Sequence, residues 1–205
     1  MRVKYSDLPA IFKQVYRVRA FLSDYCGGPD KVPVSMDDIT TAIKEIYGYE
    51  ITTQLVPFNP DLLRGMIEIY DKKAVITINA NLNTADTRYV FVKEACHILL
   101  HSVENATKDP TEVIDYYVHV RPENGDDTHP EEIICEEITK HGAVELLFPP
   151  ALRKNAKDQI AAGHATLFTI GEGLHMSENL VEFVLSDWYV DLSTRLDGQD
   201  PDRER

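Results

Sequence analysis

Cysteines, basic residues and long apolar runs are all scarce in this chain of 205 residues. The three cysteines form no CxxC pair, which argues against a disulfide framework and favours a reducing, cytoplasmic location. No apolar run approaches the roughly 18 residues that a membrane helix needs. The basic N-terminus is followed by no apolar segment, so no signal peptide is predicted.

Basic residues are outnumbered by acidic ones, with 21 Lys and Arg against 34 Asp and Glu, which gives a formal net charge of −13. Proteins that bind nucleic acid directly present a basic surface to the phosphates. The charge therefore argues against a nucleic-acid partner. It favours instead a protein partner with a basic surface.

The pattern of apolar residues predicts an α+β fold. Helical periodicity at the N-terminus is followed by β-branched segments and then by further helical segments. We expect N-terminal helices, a small antiparallel sheet and a C-terminal helical bundle. The predicted helices cover 6–25, 36–47, 84–101, 131–147, 151–162 and 177–192, and the predicted strands cover 49–58, 66–70 and 74–78.

A single domain is predicted over 1–195, because no internal repeat or linker divides the chain. The polar stretch 102–130 is predicted as a long surface loop. The charged residues 196–205 are predicted as a disordered tail.

Four ionisable residues share one side of the predicted helix 84–101. Lys93, His97 and His101 are four residues apart, and Glu94 lies beside them. In the HExxH motif, two histidines at this spacing bind zinc, and the glutamate activates the bound water. Here Glu94 and His97 match the catalytic glutamate and the second ligand, whereas Lys93 occupies the first-ligand position. Taken alone, the KExxH pattern fits a solvated helix face equally well.

A second segment strengthens the metallopeptidase interpretation. The stretch 88–92 resembles the basic-aromatic lead-in of the ImmA/IrrE family of metallo-endopeptidases, and 93–101 resembles the family's HELGHxxxH segment. Downstream, 144–149 resembles an AELLMP run, and this alignment places Glu136 at the position of the third ligand. The resemblance covers about 33–195 and implies a zincin-like domain.

The chain also departs from the family pattern. Lys93 stands in place of the first ligand histidine, and Cys96 in place of a small residue, usually glycine. Thr139 and Lys140 replace an Ala-Asn pair, and Gly142 replaces a phenylalanine. Two of the departures bring lysines near the site.

Two arrangements of the site follow from the sequence. In the first, His97, His101 and Glu136 bind zinc at a centre displaced by about one helical turn, roughly 5 Å. In the second, the ammonium of Lys93 replaces the charge of the metal and pairs with Glu94 and Glu136, and His97 is a hydrogen-bonding neighbour. In that arrangement zinc binding is weak or absent.

Whether the chain is an enzyme is left open by these residues. One interpretation is a pseudo-peptidase that acts by binding a protein partner, and the resemblance implies a helix-turn-helix transcriptional regulator. The alternative is an active zinc endopeptidase that cleaves such a repressor. A third is a phage-encoded accessory protein that has kept only the fold. No DNA-binding segment is recognised, and no membrane partner is expected.

The remaining histidines and aromatic residues have simpler interpretations. Cys96 and Cys135 are predicted as core fillers. Trp188 is expected in the core together with Leu180, Phe183, Val184 and Tyr189. Surface or capping positions are predicted for His119, His129, His141, His164 and His175.

Overall fold

A computed structural model describes residues 8–26, 32–58, 63–100 and 131–197. Within these ranges the chain forms eight helices and a three-stranded sheet, which is the α+β architecture that the sequence predicts. None of these helices is long and apolar enough to cross a membrane. The elements are α1 Leu8–Cys26, α2 Met36–Tyr47, β1 Glu50–Val56, β2 Gly65–Tyr70, β3 Lys73–Asn79, α3 Thr84–Leu99, α4 Glu131–Leu147, α5 Pro150–Ala161, α6 Leu167–Leu174, α7 Glu178–Leu185 and α8 Asp187–Asp197.

Helix α2 begins and ends at the residues that the sequence indicates. The hydroxyl of Ser35 accepts a hydrogen bond from the backbone N–H of Asp38, and the Asp38 carboxylate accepts one from the Ser35 N–H. This reciprocal pair satisfies backbone donors that the first turn cannot. Gly48 ends the helix in a left-handed conformation, with φ of 74°, which glycine adopts at little cost.

The sheet is mixed and not antiparallel as predicted. Strands β2 and β3 form the expected antiparallel hairpin. Strand β1 lies on the other side of β3 and runs parallel to it, so the order is β1-β3-β2. Alternation of apolar residues determines which face of a strand is buried, but it carries no information about which neighbour the strand pairs with.

Helix α3 occupies the centre of the fold, between the sheet and α4. Its apolar residues, including Phe91 and Ile98, are almost fully buried. Helix α4 approaches both α3 and α1 closely at Gly142. A Cβ atom at Gly142 would lie 2.6 Å from Cγ1 of Ile11 and 3.2 Å from Sγ of Cys96. A larger residue at Gly142 would therefore push these helices apart.

The N-terminal half of α3 is fixed by a buried arginine. Arg88 donates hydrogen bonds to the carbonyls of Val34, at 2.6 Å, and of Leu174, at 2.7 Å. A third bond runs to the carbonyl of His175 at 3.0 Å. Burial lowers the pKa of Arg88 to about 10, so it remains a cation at neutral pH. One side chain thus ties α3 to the segment before α2 and to the end of α6.

The C-terminal helices differ from the prediction. The predicted helix 177–192 is two helices, because Ser186 adopts an extended conformation with ψ of 145°. The Ser186 hydroxyl then accepts a hydrogen bond from the N–H of Tyr189 and so caps α8. Helix α6 was not predicted. Helix α8 continues to Asp197, past the predicted start of the tail.

The predicted positions of three residues near this break are wrong. Trp188 is 54% exposed and Phe183 is 38% exposed, whereas His141 is only 5% exposed. The position expected for Trp188 assumed one continuous helix, and the break at Ser186 rotates Trp188 out of the core. His141 instead stacks on the ring of Tyr189, with 5.5 Å between ring centroids. The predicted loop 102–130, with His119 and His129, and residues 198–205 of the predicted tail lie outside the described residues.

Candidate functional site

The candidate site lies between the two helices at the centre of the fold. Helix α3 supplies Lys93, Glu94 and His97, whose spacing places them on adjacent turns. Helix α4, which packs against α3, supplies Glu136. The side chains meet although Glu136 is separated from Lys93 by more than forty residues of sequence.

The ammonium of Lys93 lies between two carboxylates. Its Nζ atom is 2.8 Å from Oε1 of Glu94 and 2.7 Å from Oε2 of Glu136. Nε2 of His97 is 3.1 Å from the other oxygen of Glu136, and 3.8 Å from Oε2 of Glu94. The four side chains therefore form one connected cluster, in which Glu136 contacts both Lys93 and His97.

The cluster is largely removed from solvent. The side chains of Glu94 and His97 are 3% and 7% exposed, and those of Lys93 and Glu136 are 15% and 21% exposed. Burial opposes the charge on Lys93, but the two carboxylates outweigh it and raise its pKa well above the usual range. Burial likewise opposes ionisation of Glu136, but Lys93 and His97 hold its pKa well below the usual range. Lys93 and Glu136 are thus a fully ionised pair at neutral pH.

The sheet approaches the site at the first residue of β2. A Cβ atom at Gly65 would lie 2.2 Å from Cγ1 of Val90 and 3.6 Å from Oε1 of Glu94. Glycine therefore allows β2 to pass directly beside the helix that carries the cluster.

The described residues do not fit a zinc ion. A protonated lysine has no lone pair to donate, so Lys93 cannot ligate the metal. Of the three usual protein ligands only His97 and Glu136 remain, and they are in contact with each other. Across the described ranges, no group of three His, Cys, Asp or Glu side chains is arranged to hold a metal ion.

Of the predicted site residues, the structure brings together Lys93, Glu94, His97 and Glu136. The contacts are those expected if the ammonium pairs with both carboxylates and His97 is their neighbour. His101, the additional ligand in the shifted zinc arrangement, lies outside the described residues. That arrangement stays a prediction.

A second buried ion pair was not predicted from the sequence. Nη2 of Arg153 is 2.8 Å from Oε1 of Glu145, and both side chains are almost inaccessible. Arg153 also donates to the carbonyl of Phe148 and to the hydroxyl of Ser193, and its guanidinium lies 5.2 Å from the ring centroid of Tyr189. Burial, partly opposed by Arg153, raises the pKa of Glu145. This network joins α4, α5 and α8.

Comparison with known proteins adds no assignment. No model of a protein family matches the sequence, and a search of curated proteins finds no match. The resemblance to the ImmA/IrrE family therefore depends on the motif residues alone.

Proposed function

We propose that this chain is an ImmA/IrrE-like pseudo-peptidase that acts by binding a protein partner, such as a helix-turn-helix transcriptional regulator. The observation that carries the proposal is the position of the Lys93 ammonium, within 2.8 Å of both Glu94 and Glu136. These are the positions that the resemblance assigns to the catalytic glutamate and to a metal ligand.

The charge of the ammonium explains how such a site persists without a metal. Two buried carboxylates would repel each other and would be costly to desolvate without a cation. Lys93 supplies that cation from within the chain. Unlike zinc, however, an ammonium cannot bind and acidify a water molecule, and Glu94 is already engaged in the ion pair. The cluster accordingly stabilises the fold but lacks the groups for hydrolysis.

Two further departures from the family pattern support descent from a common scaffold. Cys96 is larger than the small residue expected at its position, and Gly142 is smaller than the expected phenylalanine. The two positions face each other across the contact between α3 and α4, where a Cβ at Gly142 would be 3.2 Å from Sγ of Cys96. The volume gained on α3 is therefore offset by volume removed from α4, as is typical of a repacked core.

The expected partner follows from charge and from the resemblance together. A net charge of −13 attracts a basic protein surface and repels nucleic acid. Helix-turn-helix regulators carry such a surface where they contact DNA. The scarcity of cysteine is consistent with a cytoplasmic setting, where regulators of this kind are found.

A cleavage assay with purified repressors tests the proposal. The wild-type chain is incubated with a panel of helix-turn-helix repressors, with and without added zinc, and the products are analysed by mass spectrometry. We expect a complex with at least one repressor, detected by size-exclusion chromatography, and no shortened product. The Glu94→Gln variant serves as the control.

Two results would overturn the proposal. Cleavage by the wild type that is lost both in Glu94→Gln and on zinc chelation would identify an active metallo-endopeptidase. If the chain forms no complex with any repressor in the panel, the proposal that its partner is a helix-turn-helix regulator is wrong.

A further inference from the structure

Helices α6 and α7 form a helix-turn-helix unit that the sequence did not reveal. Two eight-residue helices are joined by the three residues 175–177, a turn length typical of this motif. His175 adopts a left-handed conformation, with φ of 52°, and the N–H of Met176 donates to the carbonyl of Gly171 at 2.8 Å. A Cβ at Gly171 would lie 2.7 Å from the carbonyl oxygen of Met176, so the turn folds tightly onto α6.

The charge of this unit is opposite to that of a DNA-binding helix-turn-helix. No lysine or arginine occurs between Lys157 and Arg195. The exposed face of α6 and α7 carries Glu172, Glu178 and Glu182. A recognition helix that enters the major groove needs cations for the phosphates, and this surface would repel them.

A cavity beside the unit gives the acidic surface an apolar anchor. It has a volume of about 460 Å³ and lies between the first turn of α3 and the turn between α6 and α7. Ala85, Phe168 and Met176 contribute apolar lining, and Glu172 and Glu178 also lie along its wall. Phe168, which also lines the cavity, is 56% exposed, so its ring is accessible to a partner.

We propose that this surface, made of Phe168, Glu172, Glu178, Glu182 and the adjoining cavity, docks the basic, DNA-contacting face of a partner protein. Cations of the partner pair with the three carboxylates, and an apolar side chain of the partner enters the cavity beside Phe168. Occupying that face would compete with DNA for the partner. The inference rests on the proposed partner-binding function and names the surface that performs it.

Binding of a labelled model peptide tests the docking surface. The probe is a fluorescein-labelled amphipathic peptide of lysine and leucine, followed by fluorescence anisotropy with the full chain. We expect the Glu172→Gln/Glu178→Gln variant to bind it about tenfold more weakly than the wild type. The matched control is Glu45→Gln/Glu50→Gln, which removes the same charge from exposed positions on α2 and β1. We expect this control to bind within about twofold of the wild type.

The cavity is tested separately with Thr84→Trp, which fills it from the first turn of α3 without changing the charge. We expect weaker binding of the lysine-leucine peptide, and unchanged binding of a peptide made of lysine alone. Each variant is first compared with the wild type by circular dichroism melting. The two variants change different residues on different helices, so misfolding of one variant leaves the other as a test.

Three results would overturn the inference. If the Glu172→Gln/Glu178→Gln variant and the Glu45→Gln/Glu50→Gln control lose peptide affinity equally, the peptide is responding to overall charge and not to this surface. If Thr84→Trp binds the lysine-leucine peptide as tightly as the wild type, the cavity takes no part in binding. Wild-type binding of a labelled DNA duplex that becomes stronger in Glu172→Gln/Glu178→Gln would mean that the unit binds DNA. None of these assays involves Lys93. A result that contradicts the docking surface is therefore distinct from a result that contradicts the proposed pseudo-peptidase function.

Discussion

Replacing Lys93 by alanine is expected to lower the free energy of unfolding by about 3 kcal/mol at neutral pH. The substitution leaves Glu94 and Glu136 buried without their shared cation, at side-chain exposures of 3% and 21%. An uncompensated buried charge costs far more than a lost surface ion pair, because water does not replace the missing partner. Urea unfolding followed by circular dichroism measures the difference.

Lys140→Ala is the matched control for this prediction. Lys140 also pairs with a glutamate, Glu137 on the same helix, but the two side chains are 41% and 31% exposed. We expect a loss below about 1 kcal/mol. Adding Glu136→Gln to Lys93→Ala should recover part of the stability. Equal losses in the Lys93 and Lys140 variants would mean that the cluster has no special role.

The effect of Lys93→Ala should also depend on pH. The pKa of Glu136 is held below its usual value in the folded wild type. A carboxyl group with a lowered folded pKa stabilises the protein above its unfolded pKa, near about 4.3, and this contribution is lost as the pH falls further. The difference between Lys93→Ala and the wild type should therefore be largest near neutral pH and shrink below about pH 4. A difference that does not change with pH would contradict the ion-pair explanation.

Replacing Arg153 by methionine is expected to lower the free energy of unfolding by about 3–5 kcal/mol. The change leaves the carboxylate of Glu145, which is fully buried, without a cation. It also removes the donors to Phe148 and Ser193. Because burial already raises the pKa of Glu145, the variant should recover stability as the pH is lowered and this group becomes protonated. Chemical unfolding at neutral and acidic pH measures both effects.

Adding Glu145→Leu to Arg153→Met distinguishes the contribution of charge balance at this ion pair from the contribution of packing. Replacing both members of a buried ion pair with apolar residues is often close to neutral. We therefore expect Arg153→Met/Glu145→Leu to be clearly more stable than Arg153→Met alone. If the double variant is as unstable as the single one, the role of Arg153 lies in packing and in its bond to Phe148 and not in balancing charge.

Most of the candidate site could be predicted because three of its residues lie close together in the sequence, on one helix. Helical spacing alone places Lys93, Glu94 and His97 on one side of α3. The cost of burying carboxylates then predicts that a nearby ammonium pairs with them. Glu136 was singled out by resemblance, because no spacing within α4 distinguishes it from Glu137 beside it.

The features that were missed depend on tertiary contacts. The break between α7 and α8 at Ser186 interrupts an otherwise continuous helical pattern, and it decides the exposure of Trp188. The parallel pairing of β1 is likewise not encoded in strand periodicity. A signal for the buried pair existed, since Glu145 is an acidic residue inside the apolar run 143–148, but its partner Arg153 lies on another helix.

The central claim is that an ammonium, and not a metal, balances the carboxylates of this site. Elemental analysis of purified wild type and of Lys93→His, prepared side by side with zinc and then desalted, tests it most directly. We predict that the wild type retains no stoichiometric zinc, whereas Lys93→His, which restores three protein ligands with His97 and Glu136, retains about one ion per chain. Near-stoichiometric zinc in the wild type would contradict the claim and would make the shifted arrangement with His101 the leading explanation.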